Sequence, residues 1–133
     1  QPLTIFGDGT QTRAFSYVRD IAPVMAQSAV NANMYGEIFN LGSDQVTSVN
    51  HLASMISEEF STQAEIRHLD KRHEVEHIYA SHEKIMRYID DHQPTSLNEG
   101  IHQMAQWAKS IDIEPSKHFN NLELKKNIPP SWL

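Results

Sequence analysis

Short apolar runs alternate with polar stretches along the chain, and their spacing predicts a mixed α/β order of elements. Leu3-Thr4-Ile5-Phe6 has the length and composition of a strand and stops at Gly7-Asp8-Gly9, a strong turn signal. Ala14-Phe15-Ser16-Tyr17-Val18 alternates as a half-buried strand does. Asp20 then fits the N-cap of a helix with Ile21, Val24, Met25 and Ser28-Ala29 on one stripe. Pro23 is expected in its first turn, where a missing N–H costs little. Tyr35 to Leu41 predicts a further strand, closed by Gly42-Ser43-Asp44.

Thr47 or Ser48 is placed to cap the next helix, whose apolar face is Val49, Leu52, Ile56 and Phe60. Ala64 to Leu69 reads as a strand, and Ser81 to Tyr88 as a short helix ending near Asp90-Asp91. Pro94-Thr95-Ser96 opens a last helix with Leu97, Ile101, Met104, Ala108 and Ile111 on one side. Periodicity fades from Ile113, and Asn127-Ile128-Pro129-Pro130 marks an irregular stretch. The pattern predicts one α/β or α+β unit over residues 1–112 and an irregular tail over 113–133, without repeats or low-complexity linkers.

Composition narrows the functional classes. The chain has 133 residues, 39% hydrophobic and 21% charged, enough for one domain or a piece of a larger one. No apolar run approaches the roughly 20 residues of a membrane span, and no signal-peptide pattern is expected at Gln1-Pro2. The absence of cysteine rules out disulfides, thiolate nucleophiles and sulfur ligands, and is compatible with a cytoplasmic setting. A net charge of -6, with no Lys/Arg block longer than two, argues against a general nucleic-acid surface. An anionic ligand would have to be held by a few placed arginines.

Three stretches could carry chemistry. His73-Glu74-Val75-Glu76-His77 spells H-E-x-x-H, which binds zinc only when both histidines share a helical face. The β-forming Val75, Ile78 and Tyr79 predict a strand instead, with Glu74 pointing away from both histidines. His82 and His92, the conceivable third ligands, lack a zincin context, so no metal site is expected. Gly7-Asp8-Gly9-Thr10-Gln11-Thr12 begins like a dinucleotide fingerprint but leads into a predicted strand, where that site needs a helix N-terminus. It reads as a turn between strands. Arg13 and Arg72 are suited to phosphate by their planar guanidinium forks, although spacing alone does not separate them from ordinary surface arginines.

Thr4 to Asp20, "TIFGDGTQTRAFSYVRD", resembles a block in the C-terminal half of the extended short-chain dehydrogenase/reductases. Within that family it is most similar to the nucleotide-sugar epimerases, dehydratases and decarboxylases, the UDP-glucose 4-epimerases among them. Phe39-Asn40-Leu41-Gly42-Ser43 resembles the family's "YN-hydrophobic-GS" strand end, and Ser48-Val49 the segment after it. Arg72-His73-Glu74-Val75 is similar to "R-x-G-D/E-V" with one residue fewer, and Ala80-Ser81-His82-Glu83-Lys84 to "A-D-x-S-K". Thr95 to Ile101 resembles "T-S-L-E-E-G-I". The order is the family's order, and the likeness weakens after residue 111. Ala14 departs from the pattern, standing where many relatives carry Asp.

The resemblance implies the substrate-binding α+β portion of an extended Rossmann-fold enzyme. It places Thr4, Ile5 and Phe6 along the nucleotide base, Arg13 and Arg72 on the diphosphate of a sugar nucleotide, most simply a UDP-sugar, and Glu74 on the ribose. The family's NAD fingerprint is absent from this sequence. So is its Tyr-x-x-x-Lys pair: Tyr17, Tyr35, Tyr79 and Tyr88 are followed at that spacing by Ile21, Phe39, Glu83 and His92. The expectation is therefore a substrate-binding part of an NAD-dependent, UDP-glucose 4-epimerase-like enzyme, inactive alone, with NAD and the catalytic residues carried outside this chain. A 4,6-dehydratase or decarboxylase, or a non-catalytic nucleotide-binding module, is the alternative. The parent enzyme could be a homodimer; neither nucleic acid nor membrane is an expected partner.

Overall fold

A computed structural model describes residues 2–89 and 93–112. The predicted tail 113–133, the helix end at Asp90-Asp91 and His92 lie outside the described residues. Strand β1 (Leu3–Phe6) pairs in parallel with β4 (Ile66–Leu69), Leu3 opposite Ile66 and Phe6 opposite Leu69. Strand β2 (Thr12–Ala14) is the centre of a second sheet, antiparallel to β3 (Val46–Ser48) and parallel to β5 (His77–Ile78). The Gly7–Gly9 turn thus passes the chain from one sheet to the other. Helix α1 (Val18–Ser28) follows β2, α2 (Val49–Glu59) lies between β3 and β4, and α3 (Leu97–Ser110) packs on α2.

Both late helices start as the sequence predicts. Ser48 Oγ accepts from His51 N–H at the head of α2, and Ser96 Oγ accepts from Glu99 N–H at the head of α3. Gly100, buried in α3, lets that helix approach Tyr17, since a Cβ there would come within 3.3 Å of the tyrosine side chain. Tyr17 in turn donates its hydroxyl to Gln103 Oε1 at 2.9 Å. One core cluster gathers Val24 of α1 with Met34, Ile85 and Ile89, and Phe39, Leu41 and Tyr88 pack around it.

Several expectations are corrected. The strand expected over 14–18 forms at Thr12–Ala14, because β3 ends opposite Ala14 at Val46, and Phe15 and Tyr17 then turn to an apolar groove between α2 and α3. Helix α1 starts at Val18 with Tyr17 as its N-cap, so Asp20 falls inside the first turn and Pro23 inside the helix. Asp20 is not idle: its two oxygens accept from the N–H and hydroxyl of Thr95. Residues 35–41 form no strand, since among the described residues no neighbouring strand offers them hydrogen bonds; Phe39 and Leu41 serve the core cluster from an irregular segment. The short helix expected over 81–88 shrinks to a 3-10 turn at Ile85–Arg87.

Candidate functional site

The turn between β1 and β2 is built around two glycines with φ of 75° and 76°. At Gly9 a Cβ would lie 1.9 Å from Asn50 Oδ1, so only glycine lets α2 approach this closely. Asn50 fastens the turn by donating its side-chain amide to Asp8 O and its backbone N–H to Gly9 O. Asp8 Oδ1 accepts from both the N–H and the hydroxyl of Thr10, and those bonds hold the carboxyl below the usual carboxylate range. Gln11 closes the inner side by donating to Phe6 O at 2.9 Å.

Opposite this turn runs the segment 70–76, tied at one end to β4 and at the other to β5. It holds no helix, so His73 and His77 do not form the one-face pair that a zinc helix requires. The predicted strand there is confined to His77–Ile78, and His77 Nδ1 lies 2.8 Å from Thr12 Oγ1. Among the described residues no group of three metal-ligating side chains comes together.

The sequence-predicted site residues converge here in part. Arg13, on the middle strand β2, donates through Nη1 to the carbonyls of Thr12 (2.8 Å) and Glu76 (3.1 Å). Its Nη2 reaches the Glu74 carboxylate at 3.0 Å. The Arg72 guanidinium lies over the Phe6 ring, 3.3 Å from its centroid, a stacked cation–π contact. Phe6 and Glu74 line the same small cleft with Gly7, Asp8, Gln11, Lys71 and Glu76. Each arginine thus touches one residue of the cleft lining from a different chain segment, Arg13 through Glu74 and Arg72 over Phe6. Thr4 is exposed on β1, whereas Ile5 is 3% exposed and its side chain belongs to the core.

Sequence reasoning missed Lys71. It pairs with Glu76 at 2.5 Å across the cleft, which raises the lysine pKa and lowers that of Glu76. Its place beside Arg72 in the Lys71-Arg72 dipeptide was the available signal. The cleft lining thus carries Lys71 against Asp8, Glu74 and Glu76, with Arg13 paired to Glu74 and Arg72 stacked on Phe6.

The fold is that of a part of the extended short-chain dehydrogenase/reductases. The homologues of the chain are UDP-sugar 4-epimerases and dehydratases of the extended short-chain dehydrogenase/reductases, and the described residues form an α/β part of that fold. A Methanocaldococcus jannaschii protein provisionally named UDP-glucose 4-epimerase is 36% identical over 111 residues, covering 83% of this chain and 35% of its own length. An epimerase structure from Methanothermobacter thermautotrophicus superposes with a TM-score of 0.75 at 30% identity, over 83% of this chain and 33% of that one. The UDP-glucuronic acid 4-epimerase of Bacillus cereus, solved with UDP-glucuronic acid and NAD, superposes with a TM-score of 0.70 at 31% identity, over 83% and 36%. The chain thus spans about a third of the length of the relatives it matches. No family model matches it.

Proposed function

We propose that the cleft between the β1–β2 turn and residues 70–76 binds the diphosphate of a UDP-sugar, within an NAD-dependent 4-epimerase of which this chain is a part. The observation that carries the reading is that Arg13 and Arg72, on two chain segments, contact Glu74 and Phe6, which line one cleft. Two guanidiniums at separate anchor points suit a group with two charged phosphates, because each fork donates in a fixed plane. β1, with Thr4, the Ile5 backbone and Phe6, would run beside the base, and Glu74 would accept from ribose hydroxyls. Epimerisation is favoured over dehydration or decarboxylation by the names of the M. jannaschii and B. cereus relatives.

NAD belongs to the same reading, since the B. cereus relative holds it together with its sugar nucleotide. The described residues do not fit it. A pyrophosphate of NAD needs a glycine turn that opens a helix, and the Gly7–Gly9 turn opens β2. NAD would be held, and the redox chemistry done, by sequence outside this chain. The residues here would bind and orient the substrate.

The test is calorimetric titration of the chain with UDP. Binding that is weakened by Arg13→Ala and by Arg72→Ala supports the site. UDP binding indifferent to both substitutions would refute it.

A further inference from the structure

The cleft is already neutralised before any ligand arrives. Two of the three donor positions on the Nη nitrogens of Arg13 that are accounted for go to fixed backbone carbonyls, those of Thr12 and Glu76, so the guanidinium cannot swing. The remaining one, on Nη2, is taken by the carboxylate of Glu74, which lines the cleft. A carboxylate presents two oxygens and one negative charge, much as one phosphate of a diphosphate does. The space left over is small. At about 50 Å³, the cleft has room for a few waters and not for two phosphates.

We propose that Glu74 is a placeholder: in the unliganded chain its carboxylate occupies the phosphate position on Arg13, and an entering diphosphate displaces it. This rests on the reading of the cleft given above and adds to it a competitor built into the site. The exchange is feasible because Glu74 is the mobile partner. Its side chain is 42% exposed against 21% for Arg13, and it projects from the irregular segment 70–76 while Arg13 is held in the middle strand of a sheet. Displacement vacates the volume Glu74 now fills and frees its carboxylate for the ribose of the same ligand. Glu74 therefore opposes the phosphates and favours the nucleoside. A bare diphosphate must break the pair without compensation, whereas a nucleoside diphosphate recovers the carboxylate as a hydrogen-bond acceptor.

The experiment compares inorganic pyrophosphate with UDP on the wild-type chain and on Glu74→Gln, Glu76→Gln and Arg13→Ala, after circular dichroism shows the wild-type fold. Removing an exposed ion-pair competitor is expected to tighten pyrophosphate about threefold to fivefold in Glu74→Gln. UDP should gain less than pyrophosphate, so the preference for UDP falls. Glu76→Gln removes the same charge from the cleft but leaves Arg13 Nη2 covered, and should tighten pyrophosphate less than Glu74→Gln does. Unchanged or weaker pyrophosphate binding in Glu74→Gln, or an equal gain in Glu76→Gln, overturns the placeholder. Pyrophosphate binding that survives Arg13→Ala undiminished overturns the cleft assignment itself, a separate result.

Discussion

Asp20 holds Thr95 with both carboxylate oxygens: Oδ2 accepts from the Thr95 N–H and Oδ1 from its hydroxyl, each at 2.8 Å. The two residues are far apart in sequence, so this pair fixes where α3 begins relative to the first turn of α1. It couples two of the stretches whose order resembles the family, "YVRD" and "TSL".

Asp20→Ala should cost about 1–3 kcal/mol, because it leaves a partly buried N–H and hydroxyl without their charged acceptor. Arg19→Ala next to it, on an exposed side chain, should stay within about 0.5 kcal/mol. Urea unfolding midpoints of the two variants decide the matter; equal midpoints would show that the Asp20–Thr95 pair carries no stability.

Arg13→Ala and Arg72→Ala should each weaken UDP about tenfold or more, since charge-assisted hydrogen bonds contribute roughly 1.5–3 kcal/mol. Arg13→Lys should also lose affinity, because the ammonium keeps the charge but not the planar fork. The double variant is expected to lose less than the sum of the two, as both arginines contact residues that line one small cleft. Strictly additive losses in a UDP titration would place them on independent sites.

The chain alone should show no turnover of UDP-glucose or UDP-galactose with added NAD. It lacks both a Tyr-x-x-x-Lys pair and a glycine turn opening a helix. A coupled assay that detects product formed by the 133-residue chain would contradict this.

The Glu76 carboxyl should titrate below its ordinary 4.5, because Lys71 donates a hydrogen bond to the charged form and attracts it electrostatically. A carboxylate with a lowered folded pKa adds stability above its unfolded pKa and loses it as pH falls through the folded value. The contribution should therefore disappear on acidification below 4.5. Carbon-detected NMR titration of Glu76 in Lys71→Met should move the midpoint upward from that of the wild type; an unmoved midpoint would show that the pair does not persist in solution.

Elements that carry their own local signal were legible in the sequence. β1 over Leu3–Phe6, the Ser48 and Ser96 caps and the turn at Gly7–Gly9 depend on neighbours within a few residues. The run 35–41 misled because strand composition needs a partner strand to become a strand, and among the described residues none lies beside it. Asp20 misled in the opposite way: a capping residue by type was claimed by Thr95 from a distant segment. At the cleft, the family likeness singled out Arg13, Arg72 and Glu74 as candidates, while their pairings were not legible. Nothing in the spacing of Arg13 and Glu74 announces a 3.0 Å contact, which arises because β5 lies in parallel beside β2.

The segment 70–76 is clamped at both ends by strands that belong to two different sheets. Its length therefore acts as a dial. Neither end can slide to absorb an added residue, because a one-residue slip in β4 or β5 would turn every side chain of that strand to the opposite face. An insertion or deletion must instead be taken up within the segment, changing which side chain looks into the cleft. One codon gained or lost between Asp70 and His77 is then a more direct route to a reshaped cleft than substitution on the rigid strands around it.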